Sequence, residues 1–224
     1  MKNSYFGLAA TAAFAAFTIA CGNQETQVID NFFRAVQAKD SGTVAAFSMV
    51  QFDKPVKSWK VKSVGEEQKV PAPIGTLAST LKAADEAVAQ NKKEAGAYFN
   101  AHPLEVDKVK PLVENGSPVP ANLKSTAEDW KKFNDADKDL KAKAAEAKSA
   151  YDREKRLVSM STGQQGGDVD TLQGELVTKT AQVEVESEGD VKTYAIQLRK
   201  YEVKAGGQGP NVQSRWLIQS ITPQ

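Results

Sequence analysis

Apolar positions along this chain follow two periods, and the changes between them divide it into three regions. In the first, from Glu25 to Val70, Val28/Ile29, Phe32/Phe33 and Val36 recur at helical spacing until Lys39-Asp40-Ser41-Gly42 interrupts them. A second short helix follows from Thr43 to Met49, with Val44 and Phe47 inward. Ser58 to Val64 then alternates polar and apolar, which predicts a strand with Trp59, Val61 and Ser63 on one face.

The second region, Thr76 to Ser161, changes to a period of three, four or seven. Leu77, Leu81, Ala84, Val88, Ala95 and Tyr98 form one stripe, and Leu123, Ala127, Trp130, Phe133, Leu140, Ala144, Ala147, Tyr151 and Val158 form another. The spacing predicts two long helices joined by a proline-containing link from Pro103 to Pro120. The second would run from Pro120 to Val158, roughly 58 Å at about 1.5 Å per residue. Ser125-Thr126-Ala127-Glu128 fits a capping box at its start. Both stripes are narrow and Ala-rich, so the helices can lie close together as an antiparallel pair. The charges around Glu128, Lys132, Asp135, Lys138, Asp139 and Lys143 form a solvated face.

The third region begins after Gly163-Gln164-Gln165-Gly166-Gly167 and returns to alternation. Leu172 to Glu186 reads as a strand with Val183 and Val185 opposite Glu184 and Glu186, and a hairpin turn falls at Gly189-Asp190. Tyr194, Ile196 and Leu198 continue the alternation, with Tyr201 and Val203 adding apolar groups on the second face. After the turn at Gly206-Gly207-Gln208-Gly209-Pro210, Arg215 to Ile221 is apolar on both faces, as in a strand that is central or covered on both sides. The fold class expected from these elements is α+β.

Composition narrows the chemistry. The chain has 29 basic and 28 acidic side chains, one histidine and one cysteine. Nothing in that balance suggests nucleic acid, whose binding needs a concentrated basic face. A single Cys and a single His leave no cluster with zinc-ligand spacing, and no metal or cofactor is expected. Neither glycine-rich stretch has phosphate-loop spacing. Trp59, Trp130 and Trp216 are spread over the three regions, which suits core packing better than a stacking platform.

The cysteine gives the sharpest single signal. Lys2 is followed by an apolar run from Tyr5 to Ala20 and then by Cys21-Gly22, the layout of a secretory signal ending in small residues. The run is shorter than the ~20 residues a spanning helix needs. Thr18-Ile19-Ala20-Cys21 resembles the lipobox of bacterial lipoproteins, although Thr18 stands where that family usually has Leu. The resemblance implies lipid attachment at Cys21 and cleavage before it, giving a signal peptide at 1–20 and a lipidated tether at 21–26. It also implies a membrane partner reached through that anchor. Gly22 is not an Asp-type inner-membrane retention signal, so in a two-membrane cell the implied place is the outer membrane, facing the periplasm or the cell surface.

A second resemblance concerns the globular part. Phe32-Phe33-Arg34-Ala35-Val36-Gln37-Ala38-Lys39-Asp40 is similar to the first helix of NTF2-like (SnoaL-like, cystatin-like cone) domains, and Arg215-Trp216-Leu217-Ile218 to their last strand. It implies a curved antiparallel sheet with N-terminal helices, assembled from residues 27–75 and 162–224. Residues 76–161 would be an inserted helical hairpin. Two independent domains are the competing arrangement, but the strand near Trp59 needs partners, and the other strands all lie after Gly167.

Some NTF2-like domains are isomerases or dehydratases with an acid–base pair inside the cone. Here His102 lies outside the expected cone, and Glu184, Glu186 and Glu188 read as the wet face of a strand. Arg199, Tyr201 and Trp216 are the candidate pocket or sheet-face residues, with a surface salt bridge as the simpler account of Arg199 and Glu202. Three functions remain open at this point. One is a non-catalytic, lipid-anchored envelope protein that binds an envelope protein partner through the hairpin and sheet. The others are a small-molecule carrier and an enzyme using the cone. A homo-oligomer is compatible with all three.

Overall fold

A computed structural model describes residues 23–163, 169–206 and 208–224. Among them, five α-helices and a five-stranded antiparallel sheet form an α+β fold. The centre of the sheet is the hairpin of β3 (Leu172–Ser187) and β4 (Asp190–Ala205), paired over their whole length. Glu188 and Gly189 close it with φ of 50° and 91°, the positive values that a two-residue turn needs to match strand twist. β1 (Ser58–Val64) and β2 (Gln68–Pro71) line the outer edge of β3, and β5 (Leu217–Pro223) pairs with β4.

Alternation along the hairpin divides the apolar side chains between two cores. Val177, Ala181, Val183, Val185, Tyr194, Ile196 and Leu198 face α1 (Gln24–Gln37) and α2 (Ser41–Phe47). Val28, Ile29, Phe32 and Phe33 of α1 fall on one helical stripe and are buried against that face. On the opposite face, Leu172, Tyr201 and Val203 are covered by Ile74, Tyr151, Leu157 and Val158. β5 is an edge strand, and its two-sided apolar pattern has a direct cause: Ile218 enters the first core and Leu217 the second.

The helices that cover the second face belong to a long excursion between two paired strands. β2 ends at Pro71 opposite Glu175 of β3, and everything between them leaves the sheet and returns. α3 (Ile74–Ala101) runs out, α4 (Pro103–Asn115) packs on α5, and α5 (Lys124–Thr162) runs back antiparallel to α3. Asn91 donates a side-chain hydrogen bond to the Phe133 carbonyl at 3.2 Å, and the Tyr98 ring lies 5.5 Å from that of Phe133. The arm and the sheet therefore share the second core at the arm's base.

Several local expectations are corrected. The link from Pro103 to Pro120 is largely helical: Pro103 sits in the first turn of α4, where its missing amide has no intrahelical acceptor anyway. α4 buries Val106 and Val109. Ser125 is no N-cap, because a 3-10 turn at Ala121–Leu123 leads straight into α5 and Ser125 lies inside the helix. β2 carries no alternation because all four of its residues are exposed. A register shift between Val61 and Ser63 turns Val64, not Ser63, onto the first core beside Trp59 and Val61. Glu188 lies in the hairpin turn rather than on the strand face of Glu184 and Glu186. α1 begins at Gln24, within the stretch 21–26 expected as tether, and the helical excursion spans 74–162 rather than 76–161.

Candidate functional site

Among the described residues, a buried polar cluster lies where α5 meets β4. On α5, Tyr151, Glu154, Leu157, Val158 and Ser161 recur at three- and four-residue intervals and are all buried. Glu154 thus occupies the apolar stripe although its neighbours Arg153, Lys155 and Arg156 are charged. On β4, Arg199 and Tyr201 alternate onto the same face, with Arg199 6% exposed, Tyr201 0% and Glu154 7%. One guanidinium nitrogen of Arg199 donates to both Glu154 carboxylate oxygens, at 3.0 and 3.3 Å, and also to the Tyr201 hydroxyl. The Tyr201 hydroxyl in turn donates to Glu154, and Arg199 Nε has no partner among the described residues. Burial drives the Tyr201 phenol far above its ordinary pKa, so it acts as a fixed donor.

The surroundings of this triad lock the end of α5 to the sheet. Ser161 Oγ donates to the Arg215 carbonyl at 2.8 Å and accepts from the Tyr201 amide at 3.3 Å. The Arg215 amide donates to the Ser161 carbonyl at 2.8 Å, and Arg215 Nε to the Met160 carbonyl at 2.8 Å. Chemically the triad is a buried, hydrogen-bonded ion pair that fixes helix register against strand.

Trp216 does not join it. It lies on the opposite face, in the first core, with Lys200 Nζ 4.9 Å and Lys179 Nζ 5.5 Å from its ring centroid. Lys179 pairs with Glu25 at 2.6 Å, and Lys200 with Glu202 at 2.8 Å. The three candidate residues are therefore split: Arg199 and Tyr201 converge, and Trp216 stands apart. Glu202 pairs with Lys200 and Lys69 rather than with Arg199, because odd and even positions of β4 point to opposite faces.

The remaining candidates lie as follows. Glu184 pairs with Lys62, and Glu186 with Lys57 and Ser58, on the wet half of the sheet. His102 sits between α3 and α4, its ring 4.8 Å from that of Tyr98. Cys21 lies outside the described residues. Among the described residues no three metal-ligating side chains cluster, and no helix is long and apolar enough to cross a membrane.

The perturbed titrations share one direction: each reinforces the charge state the group already has near neutral pH. Burial opposes ionisation of Glu25, yet the Lys179 ammonium holds it below the usual carboxylate range and is itself raised by Glu25. Lys57 and Ser58 lower Glu186, and Lys200 and Lys69 lower Glu202. Burial and the Asp170 carboxylate raise Tyr151, while the Tyr151 hydroxyl raises Lys155. None of these groups is poised for proton transfer near pH 7.

Glu154 is the residue sequence reasoning missed. Its signal was present: it lies three residues after Tyr151 and four before Val158, on the stripe those two define. No family model, curated protein or solved structure matches the chain.

Proposed function

We propose that the chain is a lipid-anchored, non-catalytic protein of the cell envelope that uses its helical arm to engage another envelope protein. In this reading Cys21 carries the anchor, and the base is an NTF2-like curved sheet. With α1 starting at Gln24, inside the stretch 21–26 expected as tether, such an anchor would hold the base near the bilayer. The lipobox-like Thr18-Ile19-Ala20-Cys21 supports the anchor.

One observation carries the binding role: the space between α1 and the sheet, where a cone-type ligand would sit, is filled by aromatic rings, while the arm is anchored at its base by buried side chains. Between α1 and the sheet, Phe33 stacks on Trp59 at 5.5 Å and meets Phe52 edge-on at 5.6 Å, and Phe52 meets Tyr194 at 5.3 Å. Phe32 and Phe33 are fully buried there. The arm, by contrast, has buried anchors at its base and exposed lysines along its length. This favours display of a surface over catalysis or carriage within the cone.

Cross-linking in intact cells tests the reading. Reproducible links from Lys131 or Lys143 to one other envelope protein are the expected result. Links only within the chain or to its own copies would overturn the heterologous role. A Cys21→Ala variant should leave the membrane fraction, and its retention after detergent-free washing would end the anchor reading.

A further inference from the structure

Outside the arm, a groove of 710 Å³ lies between the end of α1, α2 and the segment leading to β1. Its volume is in the range of small-molecule sites. Val36, Val44, Met49, Val50 and Phe52 provide apolar lining. Phe52 is held in place by its edge-on contacts with Phe33 and Tyr194, so that wall is rigid.

The rim carries two cations. Lys39 and Lys54 both line the groove. Four other lysines of the base pair with carboxylates: Lys57 with Glu186, Lys62 with Glu184, Lys69 with Glu202, Lys179 with Glu25. Lys39 and Lys54 have no such ion pair among the described residues. Lys54 Nζ reaches only the Tyr194 hydroxyl, at 3.3 Å, and its ring. Asp40, next to Lys39, accepts from the Thr43 amide at 3.0 Å and from the Thr43 hydroxyl, and forms no ion pair with Lys39. Asp53 is the one carboxylate on the lining, against two ammonium groups.

Lys39 also occupies a backbone position that favours glycine. Its φ is 55°, and its amide donates to Val36 while the Asp40 amide donates to Ala35, the bond pair of a helix end closed by a left-handed residue. A side chain there is a strained choice for a turn alone, and the side chain present is a cation at the mouth of an apolar groove.

We infer that this groove binds a monomeric amphiphile with an apolar chain and a single carboxylate head, a long-chain fatty acid in chemical class, with the chain along Val36, Val44 and Phe52 and the head near Lys39 and Lys54. The apolar lining supplies the affinity and the unpaired ammonium groups select the anionic head. The site lies on the base, away from the arm, and stands whether or not the arm binds a protein.

Calorimetric titration of the full chain with dodecanoate, without detergent and below micelle formation, tests this. Dodecanoate should saturate one site, and dodecanol, with the same chain and no charge, should bind about tenfold more weakly. Lys39→Gln and Lys54→Gln should each weaken dodecanoate by about fivefold, as for a partly exposed ion pair, without changing dodecanol. Ala45→Trp, at an exposed α2 position on the lining, should block both ligands while leaving the cores intact. Equal affinity for dodecanoate and dodecanol, or dodecanoate binding untouched by all three substitutions, would overturn the inference. So would lysine-dependent binding to anionic phosphatidylglycerol vesicles with none to monomeric dodecanoate.

Discussion

The two ends of the excursion and the length between them are held by different physics. At the base, α5 buries Tyr151, Glu154, Leu157, Val158 and Ser161 against the sheet; along the arm, no residue of α3 beyond Ile74 is fully buried, and none of α5 between Ala127 and Tyr151. The arm's seam is made of half-buried Ala84, Val88, Ala95, Leu140, Ala144 and Ala147. Small side chains let the helices approach but remove little apolar area from water. The base is thus specified by burial, the α3–α5 length of the arm by helix propensity plus a thin seam, and the α4 part of the excursion by the fully buried Val106 and Val109. A surface that must stay accessible to a partner can be built the second way, provided its root is built the first way.

The largest expected break of this contrast comes from matched truncations. Phe33→Ala removes a fully buried ring and should destabilise the fold by about 3–5 kcal/mol. Leu140→Ala in the arm, half-buried already, should cost about 1 kcal/mol. Denaturant unfolding of both variants decides it, and equal losses would mean the arm is more tightly packed than its exposure implies. Next in size is the root of the arm. Glu154→Ala strands the Arg199 charge in the interior and should cost about 3 kcal/mol, whereas Glu154→Leu combined with Arg199→Met and Tyr201→Phe, which leaves no polar group of the triad unpaired, should fall near wild type. If the single and triple variants lose the same stability, the ion pair is not what fixes α5 to β4.

Much of this contrast was legible in the sequence. Period-two alternation gave β1, β3 and β4, an apolar run on both faces gave β5, and period 3.6 gave α1, α3 and α5, because the pattern records which face or faces each element buries. What was not legible depends on partners that are distant in the chain. β2 is exposed throughout and exists only because β3 offers it an edge. α4 was hidden behind its prolines, Pro103 and Pro111. Glu154 looked like one more charge in a Lys/Glu-rich helix, since its ionic partner, Arg199, lies 45 positions away. The same distance explains why Arg199 was assigned to Glu202, its neighbour in sequence but not in space.

A smaller effect separates the two faces of the base by pH. The Glu25–Lys179 pair ties α1 to β3 on the first-core side. Glu25 is lowered in the folded chain, so the folded state binds fewer protons than the unfolded one in the acid range. Stability from this contact is therefore present above the unfolded carboxylate pKa and is lost as pH falls through the folded value. Lys179 is raised, so its share is lost only as pH climbs through its own elevated value. Glu25→Gln should flatten the acid limb of a stability–pH profile by about 1 kcal/mol. An unchanged limb would assign the acid sensitivity to other carboxylates.

The smallest effect has the opposite sign and is the most discriminating. Lys39 closes α1 in a left-handed conformation, which disfavours any residue with a Cβ by about 1 kcal/mol relative to glycine. If the turn were the only constraint, Lys39→Gly would be an improvement without penalty, raising the denaturation midpoint and leaving every binding property intact. If the groove takes a carboxylate, the same substitution should stabilise the chain by up to about 1 kcal/mol and weaken dodecanoate together. Stability and binding moving in opposite directions in one variant would mark Lys39 as a residue held against local preference for its charge. A gain in stability with dodecanoate affinity unchanged would reduce Lys39 to an ordinary surface lysine at an awkward turn.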